Sequence, residues 1–270
     1  MLKICEKYAL KHNLQFSTDP NPIKCKTKCI AFVKKPKQLQ NINLCGNPFP
    51  WVNSFKHLGN TVVNNPNFAK QDINIKRAVY VTKNIEINQE FYFSYPETRF
   101  HINQIYNAHY TGSPLWDLFS EEVGKFETSY NRNIKIMYDL PIDTHRNLIE
   151  PISGTSHMKI VLQKRLLSFI TQIKKSTKQL PKQMYNLVRD DVRSTTGKSL
   201  RGILLQTNKV HVEQLNTSDH HLLKYHPLPD EEKWKVGVIS EIIQVRNNKL
   251  EVHGFTNAEL VEILNHLCSD

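Results

Sequence analysis

Several groups of residues in this chain have the types and spacing that chemistry needs. Asp190-Asp191 is a carboxylate pair of the kind that holds two metal ions for nucleotidyl transfer. It lies inside Leu187-Val188-Arg189-Asp190-Asp191-Val192-Arg193, where the flanking arginines predict local ion pairs on a solvated helix face. Cys25 and Cys29, with Cys45 and His57, add up to the four N/S ligands of a zinc site, although at loose spacing. The same two cysteines also fit a strand as small core residues. Thr196-Gly197-Lys198-Ser199 resembles the tail of a phosphate-binding loop, which requires a glycine five residues before Gly197; Val192 stands there. Gly197 is therefore read as shaping a turn between helices. His211, His220, His221 and His226 fall in a polar stretch with no Cys or carboxylate framework and read as solvated.

The strongest charge feature is a run without acids. Between Pro151 and Arg189 no Asp or Glu occurs, while Lys159, Lys164, Arg165, Lys174, Lys175, Lys178, Lys182 and Arg189 accumulate. On a helical wheel Leu162, Leu166, Phe169, Ile170 and Ile173 share one face, with Lys164, Thr171, Lys175 and Lys178 opposite. A helix kept soluble by its lysines has such a face. An ordinary solvated face mixes both signs, however, so the one-signed run favours a face that tracks phosphates. The whole chain agrees: 36 Lys+Arg against 25 Asp+Glu give a net charge of +11, which selects polyanionic partners, nucleic acid before membrane surface.

The elements that position these residues follow from periodicity. Lys24-Cys25-Lys26-Thr27-Lys28-Cys29 alternates cations with small residues and predicts a strand with Cys25, Thr27, Cys29 and Ala31 on its buried face. After Gly46-Asn47-Pro48, the stretch from Trp51 to Val63 places β-branched and aromatic residues around Gly59, as a bent strand pair does. A first helix over residues 2–13 puts Leu2, Cys5, Tyr8, Ala9 and His12 on one face. From Asn65-Pro66 the period becomes helical and stays so: Pro96 breaks the first long helix, and Gly112 with Pro114 ends the next. Asp230-Glu231-Glu232 suits a helix N-terminus, and Thr256-Asn257-Ala258-Glu259 is a capping box.

No run of about 18 apolar residues occurs, so no membrane-crossing helix is expected. Lys3, Glu6, Lys7 and Lys11 occupy the place of a signal peptide's apolar block, and five scattered cysteines fit a reducing compartment. The expected location is intracellular, nucleus or cytoplasm.

Asn21-Pro22 through Phe32, followed by Phe55-Lys56-His57-Leu58-Gly59, resembles the end of a reverse-transcriptase palm, namely the strand after the catalytic aspartates and the primer-grip hairpin. Met1 to Ala9 resembles the palm helix that precedes that strand. The similarity is to the non-LTR (LINE-type, jockey-like) retrotransposon polymerases. It continues through Ile105 to Trp116, through Met137-Tyr138-Asp139-Leu140-Pro141, Thr144-His145-Arg146 and Leu148 to Pro151, and through Lys224-Tyr225-His226-Pro227 with Gly254-Phe255-Thr256.

The resemblance implies an α+β chain, mainly α: a small antiparallel palm remnant over 1–64, a helical thumb over 65–180 and a C-terminal helical region over 181–270. It implies an RNA template and a DNA primer, or their duplex, as ligands. Phe55, Lys56, His57, Leu58 and Gly59 would brace the primer end; Lys76, Arg77, Lys164, Arg165, Lys175 and Lys178 are the candidate phosphate contacts. Lys26 matches a lysine able to protonate departing pyrophosphate, a vestigial role here. The family's metal-binding aspartates come from an earlier strand and a Tyr/Phe-Ala-Asp-Asp hairpin that would lie upstream of Met1. The expectation is a truncated RNA-directed DNA polymerase with no cofactor of its own, Mg²⁺ belonging to the intact enzyme. The rival readings are a non-enzymatic module that binds RNA, DNA or the rest of the element polymerase, and a zinc-stabilised nucleic-acid binder.

Overall fold

Apolar residues at helical spacing dominate the sequence beyond the first quarter, and helices dominate the structure. The structure, a computed structural model, describes every residue except 1, 18, 20, 22–23, 33–39, 45, 58, 65–67, 108–109, 218, 220–228, 249–255 and 270. It is 64% helix with two antiparallel sheets of two strands each, in keeping with an α+β, mainly α, chain. The chain forms two compact units, Met1–Asp72 and Ile73–Asp270.

In the first unit, α1 (Leu2–Lys11) is followed by β1 (Asn43–Leu44) and β2 (Asn47–Pro48), paired antiparallel across Gly46. Of the residues placed on one face of α1, Ala9 alone is buried. β3 (Ser54–His57) and β4 (Asn60–Val63) make the expected hairpin, with Ser54 opposite Val63 and His57 opposite Asn60. Gly59 has φ +80°, which L side chains rarely adopt, so the turn selects glycine for its backbone angle. A Cβ there would meet open space, so no close approach is involved. The buried carboxylate of Asp72 accepts the Thr61 N–H at 3.3 Å.

The strand expected from Lys24 to Ala31 does not form. Lys24 sits in a turn and Lys26 in a bend, and a single parallel bridge joins Cys29 to Trp51. Local bonds compete with the ladder: the Lys24 and Cys25 N–H groups both donate back to the Asn21 carbonyl, and the Cys25 thiol donates to the Thr27 carbonyl at 2.9 Å. The alternation survives only at the start, where Cys25 is buried between exposed Lys24 and Lys26.

The second unit is helical. It contains most of α2 (Phe68–Glu90), then α3 (Pro96–Asn107), a 3₁₀ turn at Ser113–Leu115, α4 (Glu121–Met137), α5 (Arg146–Ser153), α6 (Met158–Lys175), α7 (Gln179–Arg189), α8 (Thr195–Thr207), α9 (Lys233–Asn248) and α10 (Asn257–Ser269). Pro96 opens α3, and Gly112 (φ +85°) precedes the 3₁₀ turn. The capping box at α10 is present: Glu259 accepts the Thr256 N–H at 2.6 Å, and Thr256 accepts the Glu259 N–H at 3.3 Å.

Two cores fill this unit. The first joins Ile73 and Tyr80 of α2, Trp116, Phe126 of α4, Leu162, Leu166 and Ile170 of α6, and Tyr185, Leu200 and Ile203 of α7 and α8. Residues on both sides of position 180 therefore share one core. The second joins Ile134 and Met137, at the other end of α4, to Leu148 of α5, Ile239 of α9 and Leu264 of α10. Tyr130, midway along α4, packs against both cores. Among the described residues no helix is long and apolar enough to cross a membrane.

Candidate nucleic-acid interface

The candidate residues fall into one group in each unit. In the first, the hairpin presents Lys56, His57 and Gly59 to solvent, with Phe55 half-buried. Phe55 and His57, two residues apart, stand on one face with ring centroids 6.3 Å apart. Leu58 lies outside the described residues. Lys26 is exposed on its bend.

In the second unit the basic helix is α6. Its buried stripe is Met158, Leu162, Leu166 and Ile170, with Gln163 and Leu167 beside it. This corrects the expected core face, because Phe169 is 38% exposed while Leu167 is 1% exposed. The first core takes Leu167 along with this stripe and leaves Phe169 outside it, while the Gln163 amide donates to Gln206 of α8 at 2.7 Å. Lys164, Lys174 and Lys175 are exposed and make no hydrogen bond or ion pair with any described residue. Lys164 and Lys175 are about three turns apart and so lie on the same side of the helix. Lys178 is exposed at the N-cap of α7, just beyond the C-cap Ser176 of α6.

Two other candidate cations are engaged by the fold. The Lys76 ammonium donates to the Thr111 carbonyl and sits 5.4 Å from the Trp116 ring centroid. Arg165 stands 5.2 Å from the centroid of Tyr110. Tyr110 and Trp116 both pack on Phe126, with centroids 5.9 and 6.3 Å away, so α2 and α6 each place a cation on one aromatic cluster. Burial raises the Tyr110 hydroxyl well above its ordinary pKa despite the nearby guanidinium. Arg77 is half-buried.

The other chemical motifs are held in structural roles. Asp190 pairs with Arg189 at 2.9 Å, and the Asp191 carboxylate accepts the Arg193 N–H at 2.8 Å. Both aspartates are exposed, but at the end of α7 rather than on the expected helix face: Asp190 is the C-cap and Asp191 lies beyond it. Gly197 is buried in the first turn of α8, where Ser194 caps its N–H at 2.8 Å. Ser199 is fully buried, accepting the Leu118 N–H and donating to the Trp116 carbonyl, both at 3.0 Å. Burial, with the neighbouring Cys25, raises the Cys29 thiol pKa. Among the described residues no three His, Cys, Asp or Glu side chains are grouped to hold a metal; Cys45, His220, His221 and His226 lie outside them.

Two features escaped the sequence reading. On α4, Glu127 is buried and meets His157 at 3.0 Å and Arg146 and Lys159 at 3.2 Å each. Burial alone would raise its pKa, but His157 and Lys159 outweigh that and leave it below the ordinary value of 4.5. One turn further on, Arg132 and Lys135 of α4 and Arg146 of α5 line a cleft of about 380 Å³. The signal for it was present as cations at helical spacing on α4, but Arg146 comes from another helix. No protein-family model, curated protein or solved structure matches this chain.

Proposed function

We propose that this chain binds nucleic acid as the duplex-holding part of an RNA-directed DNA polymerase of the non-LTR retrotransposon kind. In that reading the first unit is a palm remnant with the primer-grip hairpin, and α2 to α6 belong to the thumb. The observation that carries it is the set of exposed lysines Lys164, Lys174, Lys175 and Lys178, none paired with a described carboxylate. Some other cations do pair: exposed Lys125 with Glu121 at 2.6 Å, and half-buried Arg189 with Glu213 at 2.5 Å. Unpaired cations on one helix repel each other, and a polyanion relieves that repulsion while releasing its own counterions. Lys76 and Arg165 support the surface rather than contact phosphate, because the aromatic cluster already holds them.

Binding of an RNA–DNA duplex should weaken steeply with salt. Replacing Lys164, Lys175 and Lys178 by glutamine should make the slope of log K against log salt shallower by roughly two to three units, at about 0.9 per phosphate contact. Sequence preference should stay unchanged, since phosphate contacts position a protein without reading bases. A folded triple variant that keeps the wild-type slope would refute this reading of the lysines.

A further inference from the structure

We propose that the cleft between α4 and α5 grips a phosphodiester group of the bound nucleic acid through Arg132, Lys135 and Arg146. The inference rests on the nucleic-acid-binding reading above and adds a site to it, on residues that are not among the candidate phosphate contacts of the sequence. α4 carries Thr128, Arg132 and Lys135 at spacings of four and three, so they share one face of the helix, and α5 brings Arg146 across to them. Among the described residues the lining contains these cations and no carboxylate.

The donors are uncommitted enough to take an anion. Arg132 is exposed and makes no hydrogen bond or ion pair with any described residue, which leaves its whole donor fork open. Lys135 donates one of its three protons to the Ile142 carbonyl at 2.7 Å. Arg146 meets Glu127 through one terminal nitrogen, at 3.2 Å, and keeps its others. A guanidinium fork matches phosphate oxygens two at a time, whereas the Thr128 hydroxyl is already engaged by the Gly124 carbonyl, to which it donates at 3.1 Å.

The nearby charges do not neutralise the cluster. Glu127 is shared with His157 and Lys159, and Asp143 acts on Lys135 from nearby. Burial lowers the Lys135 pKa, with Asp143 opposing that effect and Arg146 adding a smaller contribution to it. Ile142 and Ile149 form the apolar part of the lining. Ile142 is exposed and Ile149 buried, and together they offer an apolar surface to the sugar. At about 380 Å³ the cleft suits one backbone unit rather than a large ligand.

The test is a salt titration of RNA–DNA duplex binding by the full chain, followed by anisotropy, for wild type, Arg132→Gln and the Arg132→Gln/Lys135→Gln pair. Arg146 is spared because it also pairs with Glu127. The single variant should lower the salt slope by about 0.9 and the pair by about twice that, with melting curves unchanged. If the pair fails to fold, the exposed Arg132→Gln decides alone. Should wild type bind while folded variants keep its affinity and slope, this site is wrong and the α6 reading stands. No wild-type binding even at low salt overturns both. If loss of the two cations weakens capture of polyglutamate but not of the duplex, the cleft serves an acidic polypeptide and the proposal also falls.

Discussion

Glu127 shows how much one side chain can organise. It is a buried carboxylate, and His157, Arg146 and Lys159 approach it from the N-cap of α6, from α5 and from α6 itself. Removing its charge leaves the cations Arg146 and Lys159 facing each other, beside His157, at the junction of three helices. Glu127→Gln should therefore destabilise the second unit by about 1–3 kcal/mol at neutral pH, the usual cost of a buried polar group losing its partner. Its folded pKa lies below the ordinary 4.5, so its contribution is complete above that value and is lost as pH falls through the folded pKa. Urea melts from pH 7 down to pH 3 should show the wild-type and variant curves converging in acid. A difference that stays constant across that range would mean that the Glu127 charge is not what binds the three helices.

At the scale of elements, α7 and α8 meet at a junction that only glycine permits. A Cβ on Gly197 would lie 2.3 Å from the Asp191 carbonyl oxygen and 2.9 Å from that of Val188, both backbone atoms that cannot swing aside. Gly197→Ala should cost about 1–3 kcal/mol, the range for forcing an extra carbon into a packed site. Differential unfolding in guanidinium measures it, and an unchanged midpoint would show that the junction yields. The same motif tempted a phosphate-loop reading. Its lysine, Lys198, lies 3.9 Å from Asp117 instead, and its serine is a buried link to the chain around Trp116.

At the scale of the molecule, the second unit carries both of its cores within residues 73–270. That fragment should fold alone with a cooperative melt. A fragment stopping at residue 180 loses Tyr185, Leu200, Ile203, Val212 and Leu215 from the first core. Burying each such side chain contributes about 1.5–3 kcal/mol, so their joint loss rivals the 5–15 kcal/mol by which a domain is stable at all. The shorter fragment should lose the blue-shifted emission of Trp116, which is fully buried in the longer one. Retention of cooperative melting by residues 73–180 would show that α7 and α8 are an accessory to this core.

Local rules acting within a few residues made much of the chain legible. The hairpin at Gly59, the break at Pro96, the capping box at Thr256 and the basic, acid-free helix each depend on neighbours along the chain, and periodicity or propensity reads such terms directly. The failures all involve partners distant in sequence. Lys24 to Ala31 alternates like a strand, yet among the described residues its pairing stops at one bridge to Trp51, and its local turn bonds prevail. Phe169 and Leu167 are equally apolar, and the packing of the first core decides that Leu167 is the one buried. The basic segment looks uniform as a sequence, whereas packing separates Arg165, held on Tyr110, from Lys164, left open to solvent. Arg132, Lys135 and Arg146 become one cleft only because the second core seats α5 on α4, a contact between helices that no local pattern encodes.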